Sequence, residues 1–335
     1  MHSVSAWEPM RACVAVCMAL PCVVASAEPQ QGRVMPAIFE QGIVYLDLPS
    51  PNHSKVRMFT DSGGGTAFVL STETAKRLEL AARATEDERL LRWLGPNVRL
   101  TNASQFMAQH WPRLEDGERF VIVPGVLASQ GWPVSADGVF GENWFAHQTW
   151  TWDYIRRQLI WRPKNWQPAA DARPLAVSFQ SDNQGRRTDN YPLVMMRVDD
   201  AEIPMLFDTG AYTVLTPTAL QALNDGKPAA RSTSMITHSV FEAWHERHAD
   251  WRVIDDAQMG THSRMILVPE VHLAGLGAGP VWFTERRDEN YHEMMSSLMS
   301  DQVEGSIGGN AFGSLVITMD YPRSLAWIQT KSSRH

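Results

Sequence analysis

Two segments of this 335-residue chain carry the same pattern in the same order, and that duplication constrains the fold more than any other feature. The first runs Val56-Arg57-Met58-Phe59-Thr60-Asp61-Ser62-Gly63 and the second Ile203-Pro204-Met205-Leu206-Phe207-Asp208-Thr209-Gly210. Each reads as an apolar strand, then Asp-Ser/Thr-Gly, then a second apolar strand. Asp208 follows Asp61 by 147 residues. A second pair, Phe120 to Val126 and Met265 to Val271, stands at an offset of 145. A third pair, Asp137-Gly138-Val139-Phe140-Gly141 and Glu304-Gly305-Ser306-Ile307-Gly308, closes each half at an offset of 167. Each half then ends in a strand, a turn and a last strand: Thr151 to Trp161, and Thr318 to Ile328. The jump from 145 to 167 predicts an insertion of about 22 residues in the second half, around Phe283 to Val303. Within it Tyr291 to Met299 suits a short helix, and Met294, Met295 and Met299 read as core packing.

A duplicated unit of this length suits two lobes, and the composition allows them. Hydrophobic residues make up 44% and charged residues 20%, enough apolar material for a packed core. Residues 1–27 read as a secretory signal peptide: an apolar run from Ala12 ends at Ala25-Ser26-Ala27 before Glu28. Met10-Arg11 makes a better start of such a leader than Met1 does. Cys13, Cys17 and Cys22 all lie inside it, so the remaining chain has no thiol for a disulfide, a nucleophile or a zinc site. The expected organisation is a first lobe over 28–165, a polar boundary over 166–190 and a second lobe over 191–335. Ile43 to Leu48 and Leu193 to Val198 are predicted strands, and the apolar patch Leu175 to Phe179 is expected to open the second lobe's sheet. A short helix is expected after each Asp unit, over Thr72 to Glu79 and Pro217 to Leu223, with Ser or Thr caps.

Asp-Ser/Thr-Gly, occurring twice, has a chemical reading. Two carboxyl groups about 3 Å apart cannot both ionise, so they share a proton and titrate in two steps. The ionised one can take a proton from water while the other polarises a carbonyl. Ser62 and Thr209 can hydrogen-bond across the two loops. Gly63 and Gly210 allow the turns and the close approach that face-to-face carboxylates need. One Asp from each half supplies the pair without a partner subunit, so a monomer is expected.

Apolar-apolar-Asp-Thr/Ser-Gly, followed later by an apolar-Gly element before a strand, resembles the active-site unit of the pepsin and retropepsin aspartic peptidases. The resemblance covers most of residues 40–330. With the leader, it is similar to the exported retropepsin-like peptidases of bacteria. It implies an all-β, two-lobed acid-protease fold with β-barrel-like lobes, a cleft between them, an Asp61/Asp208 catalytic pair, and no metal or cofactor. It also implies that Val139-Phe140-Gly141 and Ser306-Ile307-Gly308 pack behind the Asp loops. Two positions depart from that pattern: Gly64 and Gly65 replace a small Ala or Ser after the first Asp unit, and Ser306 stands where an apolar residue is expected. Flaps are expected before Phe120 and before Met265, with His110-Trp111 and Met259-Gly260 as candidates.

Other readings are weaker. Asp61-Ser62-Gly63-Gly64 also resembles the serine loop of trypsin-type peptidases. That reading needs a His and an Asp well upstream, and the mature chain offers only His53 there. His245-Glu246-Arg247-His248 has its histidines three apart, not the four of a zincin helix. Trp144, Trp150, Trp152, Trp161 and Trp327 fall in or near strands and read as core. A formal net charge of -7 and the lack of basic clusters exclude a nucleic-acid partner, and no run is long enough to span a membrane. The expected partner is an extended polypeptide in an extracytoplasmic space. A non-catalytic peptide- or protein-binding module of the cell envelope is the alternative, because a two-lobed cleft can bind a strand without cutting it.

Overall fold

The computed structural model describes residues 32–49, 55–65, 68–80, 83–84, 86, 88, 91, 97–102, 119–125 and 133–330. The expected leader over 1–27 and the flap candidate His110-Trp111 lie outside them. The described chain is mostly β, arranged as a large sheet in each half, a third sheet shared by both, and a two-stranded sheet of Tyr212–Val214 and Ala230–Ser232.

In the first half, eight strands pair into one sheet, with Lys55–Thr60 near its centre. This strand pairs antiparallel with Ile43–Pro49 on one side and parallel with Gly138–Phe140 on the other. The second half repeats the arrangement. Ala201–Phe207 pairs antiparallel with Leu193–Val198 and parallel with Gly305–Ile307. The parallel partner is the element expected to pack behind each Asp loop. It is apolar and fully buried in the first half, as a strand covered on both faces must be.

The helices sit where the sequence predicts them. Thr72–Arg77 is capped by the Ser71 hydroxyl, which accepts from the Thr74 N–H, and Pro217–Leu223 by Thr216, which accepts from Ala219 N–H. Pro217 opens its helix, where its missing N–H costs nothing.

The halves join through a six-stranded sheet. Thr149–Asp153 of the first half lies antiparallel to Val316–Asp320 of the second. Thr151 stands opposite Thr318, and their buried hydroxyls share a hydrogen bond of 2.7 Å. These two residues are equivalent positions of the duplicated unit, so the local two-fold axis passes between them. Arg173–Leu175 also joins this sheet, on the edge beside Leu325–Gln329. Only Val177–Ser178 of the patch Leu175 to Phe179 enters the second lobe's sheet. A short apolar run shows strand propensity but not which edge it will find.

Aromatic residues fill the space above the shared sheet. Trp144, Trp150 and Trp152 are buried, and Trp150 and Trp152 are fully so. Phe145 packs on Trp150, Trp152 and Tyr321, and Trp152 meets Phe207 edge-on. Each such pair adds about 0.5–1.5 kcal/mol beyond its buried area. Phe207 immediately precedes Asp208, so this core fixes one end of the second Asp loop. The insertion forms a π-helical turn over Asn290–Met295 and a 3₁₀ turn over Ser296–Leu298. Tyr291 and Met299 are buried there, whereas Met294 points to solvent.

Candidate active site

The strands Lys55–Thr60 and Ala201–Phe207 deliver Asp61 and Asp208 to the same point. Each Asp is anchored by the parallel strand behind it. Asp61 N–H donates to Phe140 O at 2.8 Å, and Asp208 N–H donates to Ile307 O at 3.0 Å. The loops then cross-brace. Ser62 N–H donates to Thr209 Oγ1 at 3.1 Å, and Thr209 N–H donates to Ser62 Oγ at 3.0 Å. The Ser62 hydroxyl donates to Phe207 O at 2.8 Å, and the Thr209 hydroxyl to Thr60 O at 3.4 Å. Both side chains are wholly buried. Four hydrogen bonds that exchange between equivalent positions leave the loops little freedom to separate or rotate.

The glycines have steric reasons. A methyl carbon on Gly63 would lie 2.6 Å from the carboxyl carbon of Asp208, and one on Gly210 would overlap the carboxyl group of Asp61. Their amides instead turn inward: Gly63 N–H donates to Asp61 Oδ1 and Gly210 N–H to Asp208 Oδ1, each at 2.9 Å.

The two carboxyl groups face each other at hydrogen-bond range, and their environments differ. Burial, then the charge of Asp208 and the hydrogen bond with it, hold Asp61 well above the usual carboxylate range. Burial also raises Asp208, but hydrogen bonds from Asp61, Gly210, Ser306 and Ala211 pull it back. The two carboxyls therefore share a proton and titrate as a pair, with Asp208 the better supplied with hydrogen-bond donors.

Ser306 and Tyr291 are site residues that sequence reasoning did not assign. The Tyr291 hydroxyl donates to Ser306 Oγ at 3.0 Å, and the Ser306 hydroxyl in turn bonds the Asp208 carboxylate. Both residues are buried. Tyr291 comes from the insertion. The departure from an apolar residue at 306 was visible in the sequence, but its partner was not. Tyr212, four residues after Asp208, packs edge-on against Phe59, and its hydroxyl is pushed up to about 12 by burial and then by the charge of Asp61.

A cavity of about 910 Å³ is lined from both halves, and neither Asp61 nor Asp208 is among its lining residues. The turn at Gln41 closes one side of it by accepting from Ser232 N–H at 3.0 Å and from the Ser232 hydroxyl at 2.8 Å. Tyr154, which feels the charge of Asp208, lies in its wall. The second flap candidate, Met259-Gly260, is an exposed turn tied by Met259 N–H to Val214 O at 2.8 Å.

The histidine-rich stretch is structural. His248 stacks on Trp251 and bonds Asp199 at 2.8 Å. Among the described residues, His238, Glu242 and Glu285 bring ligand-type atoms together, but Arg264 pairs with both glutamates and His238 with Glu285, so these groups already serve one another as partners.

No family model matches the chain, and no curated protein matches it. Among solved structures it is similar to basic 7S globulin from soybean, with a TM-score of 0.47 and 13% identity, covering 91% of this chain and 96% of that one. It is also similar to conglutin gamma from lupine seeds, a basic 7S globulin, with a TM-score of 0.44 and 11% identity over 91% and 96%. The family expected from the motifs, an exported aspartic peptidase of the pepsin/retropepsin type, is corrected by these findings: no such family model matches, and these structural neighbours are seed globulins. Asp-Ser/Thr-Gly is three residues long, and its two copies report the fold that holds them rather than membership of one family.

Proposed function

We propose that the chain binds an extended polypeptide between its two halves and that the Asp61/Asp208 pair hydrolyses a peptide bond in it. The observation that carries this reading is the asymmetric, cross-braced carboxyl pair. A purely structural pair of buried acids is costly, and here two raised carboxyls are held face to face by four hydrogen bonds between Ser62, Thr209 and the strands beneath them.

In this reading Asp208 takes a proton from a water molecule as the water oxygen attacks the scissile carbonyl carbon. Asp61 gives its proton to the carbonyl oxygen, and a neutral tetrahedral diol results. Collapse of the diol returns a proton to Asp61, while Asp208 passes the proton it took to the leaving nitrogen. The amine departs and the pair is restored. No cofactor takes part. With the leader expected over residues 1–27, the substrate would be met outside the cytoplasm.

A second reading keeps the binding and omits the cleavage. The interlobe cavity favours it, since such a space can hold a peptide strand without any chemistry. One digest separates the two. Mature protein and its Asp208→Asn variant are incubated with a mixed peptide library from about pH 3 to 7 and the products read by mass spectrometry. Cleavage by the wild type alone is expected, with the variant folded and at least about 100-fold slower. Equal cleavage by both, or none by a folded wild type, would overturn the hydrolytic reading and leave the binding one.

A further inference from the structure

An acid stands just before each strand that backs an Asp loop, and its partner differs in kind between the halves. Asp137 precedes Gly138–Phe140, and Glu304 precedes Gly305–Ile307. The backbone around the two acids matches. Asp137 N–H donates to Arg57 O at 2.7 Å, and Glu304 N–H to Pro204 O at 2.9 Å. Asp137 O accepts from Ser71 N–H at 3.3 Å, and Glu304 O from Thr237 N–H at 2.8 Å. In the first half the carboxylate is held by Arg77 at 2.6 Å, a cation at every working pH. In the second half it is held by a histidine: His292 Nε2 lies 2.8 Å from Glu304 Oε2. The Thr237 hydroxyl donates to the same oxygen at 2.9 Å, and the Gln302 amide to the other at 3.2 Å. Burial works against the charged Glu304, but the hydrogen bonds from His292, Thr237 and Gln302 hold its carboxyl below the usual range.

This ion pair sits next to the link that reaches Asp208. His292 follows Tyr291, whose hydroxyl donates to Ser306 Oγ at 3.0 Å, and Glu304 stands two residues before Ser306. The two contacts are adjacent ties between the insertion and the backing strand. Neutral groups hold the rest of the insertion. The Ser296 hydroxyl donates to Tyr291 O at 2.6 Å and accepts from Val303 N–H at 3.0 Å. Gln180 donates to Ser297 O at 2.8 Å, and the Ser178 and Ser300 hydroxyls share a bond of 2.7 Å. The other charged groups nearby have separate roles. The charge of Arg286, at the end of Val281–Arg286, is felt by the Tyr291 hydroxyl. Asp288 accepts from Ser239 N–H at 3.0 Å, Glu289 pairs with Arg287 at 3.3 Å, and His238 pairs with Glu285 at 2.6 Å. Glu293 and Asp301 are exposed.

We infer that His292 is a positioning residue for Asp208: its ion pair with Glu304 holds the insertion against the start of Gly305–Ile307 and so keeps the Tyr291 hydroxyl on Ser306, and loss of its proton loosens that hold. Imidazole is the side chain whose charge ordinarily changes between about pH 5 and 8. A neutral His292 can keep a hydrogen bond to Glu304 but not the charge that strengthens it. The second half thus has a pH-dependent tie where the first half, with Arg77, has a permanent one. The neutral ties remain when the pair is lost, so the loosening is graded and the insertion stays folded. The catalytic consequence rests on the proposed role of Asp208; the tie itself does not.

Amide hydrogen exchange over residues 290–303, corrected for the intrinsic effect of pH on exchange, tests the tie without any appeal to cleavage. In the wild type, protection should fall about three- to five-fold from about pH 5.5 to 8, the scale of one partly exposed ion pair. His292→Gln should show the lower protection across that range. His292→Arg, which copies the permanent charge of Arg77, should show the higher protection throughout. His248→Gln, which removes the partner of Asp199, should behave as the wild type. A flat wild-type profile, or a pH dependence that survives in both His292 variants, would overturn the tie, and the wild-type series decides alone if the variants do not fold. The positioning role is read from kcat/KM against pH. His292→Gln should move the acid limb to higher pH, by no more than Tyr291→Phe does, and should add nothing in the Tyr291→Phe background. His292→Arg should leave the limb in place. An unmoved limb in His292→Gln would reduce the residue to a structural tether and overturn its positioning role. A folded wild type that cleaves nothing but shows the expected exchange would sink the hydrolytic reading and keep the tie, and cleavage with pH-independent exchange would do the reverse.

Discussion

At the first loop Asp61 is followed by three glycines and backed by Val139; at the second Asp208 is followed by one glycine and Ala211 and backed by Ser306. The backbone is nearly the same in both. Gly64 N–H bonds Asp61 O at 3.3 Å, and Ala211 N–H bonds Asp208 O at 3.4 Å. The surroundings of the carboxylates differ. A methyl on Gly64 would lie 2.5 Å from Asp61 Oδ2, whereas Ala211 has its methyl and is buried without conflict. Val139 offers no hydrogen bond, whereas Ser306 donates to Asp208. One duplicated unit has thus been specialised twice: each carboxyl accepts from two loop amides, but the first is crowded by its own loop and the second alone gains a side-chain donor, Ser306. Such a difference is what assigns acid and base roles within a matched pair.

Exchanging the small residues should break the comparison most sharply. Gly64→Ala pushes a methyl against the Asp61 carboxyl and rotates it out of the plane of the pair. Turnover should fall about 100-fold, the cost of misplacing a reacting group by about an ångström. The reciprocal Ala211→Gly should change it less than about three-fold. Steady-state rates on one peptide decide the matter, and equal effects of the two changes would mean that the loops are equivalent.

This glycine also shows where sequence reading stopped. In the sequence Gly64 and Gly65 stand only as a departure from a small Ala or Ser; the steric requirement at Gly64 exists only once Asp61 is placed. The duplication, the paired Asp strands, their parallel partners and the capped helices were all legible, since each rests on residues close in sequence. Ser306 was visible as a departure but not as a donor. Its partner Tyr291 lies 15 residues earlier, in an insertion with no counterpart in the first half. The cavity could not be read at all, because its lining comes from well-separated segments of both halves that only the packing brings together.

The raised carboxyls have a consequence for stability. Both bind protons more tightly in the folded chain than in the unfolded one. Their contribution is present in full below the unfolded carboxylate range and is lost as pH rises through the folded values. From about pH 4 to 7 the wild type should therefore lose stability relative to Asp61→Asn, with a slope of at most about 1.4 kcal/mol per pH unit for one proton. Urea midpoints across that range give the two curves. Parallel curves would mean that Asp61 is not held protonated.

Ser306→Ala tests the second loop. Losing a donor to a charged acceptor costs about 1.5–3 kcal/mol, so the ionised form of Asp208 becomes harder to reach. The acid limb of the kcat/KM profile should move to higher pH by about one unit or more, while the alkaline limb, where the pair loses its shared proton, moves less. Ser306→Thr, which keeps the hydroxyl, should restore much of the profile. A uniform fall in rate with both limbs fixed would indicate a packing defect instead.

The smallest effect is expected at Tyr291, one hydrogen bond further from the reaction. Its hydroxyl does not touch the dyad; it donates to Ser306 Oγ and so makes the Ser306 proton a better donor to Asp208. Tyr291→Phe removes that donor and keeps the ring, which packs with Leu206 and Met299 in the same buried cluster. Rates at the optimum should change about two- to three-fold, and the acid limb should move in the same direction as in Ser306→Ala but by less than half as far. In the Ser306→Ala background the substitution should then do nothing to the limb, because the link it acts through is gone. A shift of the same size in both backgrounds would show that Tyr291 acts on the second loop by packing alone.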